Sequence, residues 1–160
     1  PGSMFFKIYK DPDANFTMRV TYWKVEGYQP RDGIEYHYLT TLSGVMEKAR
    51  KDTPDYRMPE KLAGLYEAKD FGPYGVNGTL PVCFVASNHT SGGNSGSPVL
   101  DAYGRLIGIN FDRNWEGTMS DVYYDPSICR NIAVDIRYVL FIMDKYAGAG
   151  YLLDEMDINW

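Results

Sequence analysis

The segment from Thr90 to Leu100 constrains this chain most, because it joins a glycine-rich polar turn directly to a hydrophobic strand pattern. It reads Thr-Ser-Gly-Gly-Asn-Ser-Gly-Ser-Pro-Val-Leu and places Gly93 and Gly96 on either side of Ser95. Glycine adopts backbone conformations that are closed to other residues, so such a turn exposes a hydroxyl and directs backbone N–H groups toward one point. We therefore predict that Ser95 is a nucleophile, with the N–H groups of Gly93 and Ser95 binding a developing oxyanion. The alternative is a Gly/Ser-rich loop that only connects two strands.

The size and composition of the chain are typical of one globular domain. It has 160 residues, of which 44% are hydrophobic and 23% charged, and no apolar run approaches the ~18 residues of a membrane-spanning helix. The net charge of −5 argues against a nucleic-acid partner, which would favour a basic surplus. Two histidines and two cysteines without close spacing do not match a structural zinc site, so no metal or other cofactor is expected. Cys83 and Cys129 are interpreted as free thiols, with a single disulfide as the alternative.

Residue patterns along the chain predict a mainly β fold with several short helices. The 15% aromatic content, with 14 tyrosines, suits the half-buried faces of a sheet. β-Branched and aromatic residues predict a strand over 16–25 that pairs with a second strand over 34–39, and the glycines, Pro30 and Asp32 of residues 27–33 predict a turn between them. Apolar residues at helical spacing predict helices over 41–51 and 59–69 and a terminal amphipathic helix over 137–146. The remaining predicted segments are strands over 81–86, 98–101, 105–111 and 131–136 and an irregular stretch over 115–126.

The serine turn and the segment after it resemble those of chymotrypsin-type serine peptidases. The resemblance lies in Gly-Asn-Ser-Gly-Ser-Pro, followed by a hydrophobic strand, a turn and Leu-Ile-Gly-Ile at 106–109. It implies a chymotrypsin-like second β-barrel, with the terminal helix packed on its outside. The commonest form of that family has Asp directly before the serine, where it pairs with a freed N-terminus. This chain has Asn94 there, a form typical of glutamate-cleaving bacterial peptidases and their relatives.

The general base expected beside Ser95 is not evident in the chain. Chymotrypsin-type peptidases carry His and Asp on a first barrel, ahead of the serine. His37 lies only 58 residues before Ser95, too few for the rest of such a barrel, and its Tyr-His-Tyr pattern favours a structural role. His89 is expected to orient the turn rather than to act as the base. We therefore expect the catalytic His and Asp outside this chain. The alternatives are a compact glutamyl endopeptidase that uses His37 and a non-catalytic surface module.

A wider set of residue strings resembles one family, the bacterial S46 dipeptidyl peptidases. The strings cover nearly the whole chain: Phe5–Tyr9, Asn15–Tyr22, Gly27-Tyr28, Thr90–Val99, Gly108–Gly117 and Val134–Leu140. The resemblance implies that residues 4–160 form the C-terminal part of a peptidase domain, whereas residues 1–3 have the character of a cloning remnant. It further implies a homodimeric enzyme of the bacterial periplasm or cell surface, which releases dipeptides from oligopeptides with a free N-terminus.

By the same resemblance, Arg113 groups the chain with the Asp/Glu-specific members of the family, the dipeptidyl peptidase 11 type. Members with Gly at this position accept hydrophobic P1 residues. Arg113 follows Ser95 by 18 residues on the returning strand, whose end lines the S1 pocket in a chymotrypsin-like barrel. A guanidinium there would pair bidentately with a P1 carboxylate, although the residues alone fit a surface Arg equally well. The resemblance assigns Asp112 to the free α-amine of the substrate, the contact that converts an endopeptidase into a dipeptide-releasing enzyme.

Overall fold

The computed structural model describes residues 18–49 and 54–159. Predictions for residues 1–17 lie outside these ranges. The strands are β1 (Tyr28–Arg31), β2 (Ile34–Tyr36), β3 (Leu39–Thr41), β4 (Pro81–Ala86), β5 (Pro98–Leu100), β6 (Leu106–Arg113) and β7 (Asn131–Asp135). The α-helices are α1 (Leu42–Ala49), α2 (Glu60–Glu67) and α3 (Ile136–Phe141), and α3 continues as a π-helical turn over Ile142–Tyr146. Short 3₁₀-helices cover Pro54–Tyr56, Gly72–Tyr74, Trp115–Asp121 and Gly150–Glu155.

The strands form two sheets, which confirms the expected mainly β fold with short helices. A two-stranded sheet pairs β1 with β2, and a five-stranded sheet has the order β3-β4-β7-β6-β5. The pairs β3–β4 and β5–β6 are antiparallel. Closure of a barrel is not seen among the pairings of the described strands, so the closed second barrel stays a prediction.

The strand predicted over 16–25 is wrong in its described part. Residues 18–24 form no strand, and Val25 makes only an isolated bridge to Ala86. The partner of β2 is instead β1, a stretch that the sequence pattern assigned to a turn. The physical reason is the two-residue turn at Asp32 and Gly33, where the positive φ of Gly33 (76°) closes a tight hairpin directly between β1 and β2.

The described chain divides into two compact units. The first unit comprises the described residues up to Tyr38 with Val85–Ser97 and Asn110–Ala133. The second unit comprises Leu39–Phe84, Pro98–Ile109 and the described residues from Val134 onward.

The second unit has an apolar core to which its helices contribute. As the helical spacing predicted, α1, α2 and α3 each bury apolar residues in this core. Its buried members are Leu42, Leu62, Phe71, Tyr74, Leu80, Val82, Leu140 and Phe141. The Asp135 carboxylate caps α3 by accepting the backbone N–H of Arg137, which sets where the predicted terminal helix begins. None of the helices in the described ranges is long and apolar enough to span a membrane.

The first unit is organised around a buried cation. The Arg130 side chain is only 5% exposed. Its guanidinium donates hydrogen bonds to the carbonyls of Glu26 (3.2 Å), Gly27 (2.8 Å), Pro126 (2.8 Å) and Cys129 (2.8 Å). These bonds tie together segments that are far apart in the sequence. Both cysteines of the chain are free thiols, as expected.

Candidate active site

The turn that carries Ser95 is held by bonds within itself. The Asn94 side-chain oxygen accepts the N–H of Ser91 at 2.9 Å, and the Asn94 carbonyl accepts the N–H of Ser97 at 3.0 Å. Gly93 and Gly96 have φ values of 93° and 87°, conformations that residues with a Cβ rarely adopt. The Asn94 side chain therefore stabilises this turn through its oxygen.

The Ser95 hydroxyl is exposed and lies against β6. It donates to the carbonyl of Phe111 at 3.2 Å. The neighbouring Gly96 N–H donates to Asn110 at 2.8 Å, and the Asn110 N–H donates to Ser97 at 2.9 Å. These hydrogen bonds hold the turn against β6, and the bond to Phe111 lies two residues before Arg113.

Two backbone N–H groups of the turn are available to a ligand. Within the described ranges, the N–H groups of Gly93 and Ser95 donate no hydrogen bond. Such groups strongly require an acceptor when water is excluded, so a bound oxyanion would satisfy both. These are the two donors that the sequence pattern selected.

Neither histidine is hydrogen-bonded to the Ser95 hydroxyl in the described part of the chain. His89 places Nε2 3.0 Å from the Ser120 carbonyl, with its ring centroid 4.7 Å from that of Tyr124. His37 is exposed just after β2, and its ring lies 4.4 Å from that of Tyr38. The geometry therefore gives no support to His37 as the base.

Arg113, at the end of β6, forms a bidentate ion pair that sequence reasoning missed. Nη1 donates to Asp121 Oδ1 at 2.9 Å and Nη2 donates to Asp121 Oδ2 at 3.0 Å. Nη1 also donates to Ser120 Oγ at 2.8 Å. The Arg113 side chain is 21% exposed and that of Asp121 is 54% exposed. Asp121 follows Arg113 by eight residues in a stretch predicted as irregular, so no periodic signal marked it as a partner.

A small recess lies beside Arg113. Its walls include His89, Arg113, Ser120 and Tyr124, whereas Ser95 and Asp112 are not among the described residues that line it. Burial raises the pKa of Tyr124, which keeps its hydroxyl neutral as it donates to the Ser87 carbonyl. Tyr124 contributes a neutral phenol to this recess, and Arg130 contributes a second guanidinium beside that of Arg113.

Asp112 is exposed next to Arg113. Its Oδ1 accepts the backbone N–H of Arg113 at 2.8 Å. Because successive strand residues point to opposite faces, the two side chains leave β6 on different sides.

The 3₁₀-helix Trp115–Asp121 is anchored by Asn114. Asn114 is 6% exposed and donates to the Ile128 carbonyl at 2.7 Å, while its side-chain oxygen accepts the N–H of Arg130 at 2.7 Å. A Cβ at Gly117 would lie 2.5 Å from that oxygen, so only glycine allows this close approach. These contacts fix the backbone that presents Ser120 and Asp121 to Arg113.

A family model, Peptidase S46, matches residues 4–158 of the chain. The chain belongs to the peptidase S46 family. Within the family it is 61% identical over 158 residues to an Asp/Glu-specific dipeptidyl-peptidase of Flavobacterium psychrophilum, a match that covers 99% of this chain and 22% of that protein. It is 55% identical over 150 residues to dipeptidyl-peptidase 7 of Phocaeicola vulgatus, covering 93% of this chain and 21% of that protein.

The fold agrees with that of a solved structure. The crystal structure of Porphyromonas endodontalis DPP11 in complex with the dipeptide Arg-Glu matches with a TM-score of 0.82 at 53% identity. The match covers 84% of this chain and 20% of that one, so the chain spans about a fifth of the length of its relatives. Relatives named Asp/Glu-specific dipeptidyl-peptidase and dipeptidyl-peptidase 7 thus both exceed 50% identity to this chain.

Proposed function

We propose that this chain is the C-terminal catalytic part of a serine dipeptidyl aminopeptidase that prefers Asp or Glu at P1. One observation carries the proposal: the exposed hydroxyl of Ser95 is bonded to β6 at Phe111, two residues before the Arg113 cation. A nucleophile and an anion-binding group thus share one strand end. Family membership and the Asp/Glu-specific relatives support the same activity.

In this proposal Ser95 attacks the scissile carbonyl. The base that accepts the hydroxyl proton, with its Asp partner, comes from a part of the longer protein outside this chain. The N–H groups of Gly93 and Ser95 stabilise the oxyanion that forms as the carbonyl is attacked. The same base then returns the proton to the leaving amine, and water releases the dipeptide from the acyl-enzyme.

Arg113 selects the P1 residue. Its guanidinium binds a P1 carboxylate through charge-assisted hydrogen bonds. Removing one partner of a desolvated pair of this kind costs about 2–5 kcal/mol, roughly 30-fold to a few thousand-fold in affinity. With a net charge of −5 the chain does not attract acidic peptides at long range, so the selectivity has to be local.

Asp112 binds the substrate N-terminus. Its exposed carboxylate has only the Arg113 backbone N–H as a hydrogen-bond partner among the described residues, so it retains acceptor capacity for a protonated α-amine. An amine bound at this point limits cleavage to the second peptide bond, which makes the products dipeptides.

The whole protein is proposed to be a homodimer of the bacterial periplasm or cell surface, on the basis of the resemblance described above. Oligopeptides with a free N-terminus are its proposed substrates, and the chemistry assigned to Ser95 calls for no cofactor.

The decisive experiment exchanges Arg113 in the full-length protein. We expect Arg113→Gly to lower kcat/KM for reporter peptides with Glu at P1 by at least about 30-fold, and to favour Leu at P1. Ser95→Ala, the control, should abolish turnover of both. Unchanged preference for Glu in Arg113→Gly would refute the pocket assignment.

Three further measurements separate the proposal from its rivals. The 160-residue chain alone should show no turnover, because the base is absent. In the full-length protein, blocking the substrate α-amine should abolish cleavage. Equal cleavage of blocked and free peptides would instead indicate a glutamyl endopeptidase, and failure of an active-site phosphonate to label Ser95 would indicate a non-catalytic module.

A further inference from the structure

The Arg113 guanidinium has five N–H donors, and the structure shows how three of them are used. One Nη1–H and one Nη2–H bind the two oxygens of Asp121 at 2.9 and 3.0 Å, and the second Nη1–H binds Ser120 Oγ at 2.8 Å. The Asp121 carboxylate is therefore paired with the end of the Arg113 guanidinium that Nη1 and Nη2 form.

The other two N–H donors of Arg113 lie on one edge of the guanidinium. Within the described residues, Nε–H and the second Nη2–H have no acceptor. In a planar guanidinium these two N–H groups lie side by side and parallel, which is the arrangement that binds a carboxylate bidentately. About a fifth of the side chain is exposed, so an incoming group can reach Arg113.

We infer that Asp121 is a positioning residue for P1 recognition, which holds one edge of Arg113 and leaves the Nε–Nη2 edge for the substrate carboxylate. The inference rests on the proposed function, because it assumes that Arg113 binds the P1 side chain. It assigns Asp121 no contact with substrate. Asp121 acts only by restricting the orientation of the guanidinium.

The position of the Asp121 carboxylate is set by the backbone that carries it. Asp121 ends the 3₁₀-helix Trp115–Asp121, which begins next to the buried Asn114. Ser120, the preceding residue, is 5% exposed, and its carbonyl lies 3.0 Å from His89 Nε2. The two acceptors of Arg113 thus belong to an anchored segment, whereas a free arginine at a strand end samples many rotamers.

If Asp121 restricts the orientation of the Arg113 side chain, its loss should change the KM for acidic substrates. A guanidinium that is already ordered loses less conformational entropy when a carboxylate binds, and ordering one long side chain changes affinity by about two- to twelvefold. Because a P1 carboxylate is paired in both the Michaelis complex and the transition state, loss of Asp121 should raise KM and leave kcat nearly unchanged. The change should be confined to acidic P1 residues.

The test compares Asp121→Asn and Asp121→Glu in the full-length protein, with reporter peptides carrying Glu or Leu at P1. Asn removes the charge and Glu keeps it while moving it by one methylene. Both variants should lower kcat/KM for Glu by up to about tenfold through KM, and neither should change kcat/KM for Leu. Since the Asp121 side chain is 54% exposed, both are expected to fold, which circular dichroism verifies.

A matched control is Asp70→Asn. Asp70 pairs with Lys145 at 2.9 Å and is 48% exposed, so this variant removes a comparable ion pair in the second unit. It should leave both substrates unaffected. A change equal to that in Asp121→Asn would show that the effect is not specific to Arg113.

Three outcomes would overturn the inference. A rise in kcat/KM for Glu in Asp121→Asn, without a change in Asp121→Glu, would mean that Asp121 competes with the substrate for Arg113. An equal loss for Glu and Leu would indicate a structural role, and no change would exclude any role. The Arg113→Gly variant separates the inference from the proposed function. If Arg113→Gly still prefers Glu at P1, the proposed function fails. If Arg113→Gly loses that preference but the Asp121 variants cleave Glu substrates normally, only the inference fails.

Discussion

The two units of this chain are stabilised inside by different kinds of side chain. The second unit buries large apolar residues, whereas the buried apolar residues in the described part of the first unit are small: Ala86, Cys129 and Ala133. In place of large apolar groups, the first unit buries Ser87, Asn110, Asn114, Ser120, Arg130 and Asn131. The hydrophobic effect has little directional preference, but hydrogen bonds require particular distances and angles. The unit with the candidate site is therefore the one whose interior specifies geometry most tightly.

The comparison accounts for how the site is supported. Asn114 and Arg130 each bond to backbone groups distant in sequence, and those bonds hold the loops around Arg113. A buried polar network of this kind is costly when only partly satisfied. The two units should therefore respond differently to substitution, as the following experiments on the 160-residue chain test.

The largest expected effect lies in the apolar core of the second unit. Phe141 is fully buried, with its ring 6.3–6.4 Å from those of Phe71, Tyr74 and Tyr138. Phe141→Ala should lower the free energy of unfolding by about 3–5 kcal/mol, because it removes apolar contacts and leaves a cavity. Urea unfolding measures this. Tyr151→Ala, at a side chain 68% exposed, is the control and should cost less than about 0.5 kcal/mol.

A smaller effect is expected in the polar interior of the first unit. Asn114→Ala leaves the Ile128 carbonyl and the Arg130 N–H without their side-chain partner, at a cost of about 1–3 kcal/mol in the free energy of unfolding. Thr118→Ala removes an exposed hydrogen bond in the adjacent 3₁₀-helix and should change stability by less than about 0.5 kcal/mol. Equal losses in the two variants would contradict the distinction between buried and exposed hydrogen bonds.

The smallest effect concerns Tyr74, a core residue of the second unit that carries a polar hydroxyl. Burial, reinforced by the hydrogen bond to Asp144, raises the pKa of Tyr74 to about 12. The folded chain thus keeps a proton that an unfolded tyrosine loses near pH 10, so this stabilisation is complete below pH 10 and declines as pH rises toward 12.

Tyr74→Phe removes that titrating group. The difference in unfolding free energy between the wild-type chain and Tyr74→Phe should be constant from pH 8 to 9.5. Above about pH 10 it should shift in favour of the variant. Urea unfolding at several pH values measures the difference. Parallel curves up to pH 11 would show that Tyr74 does not contribute to the alkaline loss of stability.

The two units also differ in how far the sequence predicted them. Helices α1 and α2 of the second unit follow from apolar residues at helical spacing, because this signal is local. At the start of the first unit, the local residue pattern gave a wrong prediction of the strands. The β-forming residues of 18–24 belong to no strand, and β1 arose where Pro30 and Gly27 suggested only a turn.

By itself, the sequence determined the conformation of the turn that carries Ser95. Glycines around Ser95 are a local requirement of the backbone, and they predicted the positive φ values and exposed hydroxyl that the structure shows. The pairing of Arg113 with Asp121, and of Arg130 with carbonyls about a hundred positions earlier, was decided only by the tertiary structure. Its physical reason is that an arginine has no preferred partner until the fold brings an acceptor within about 3 Å of its donors.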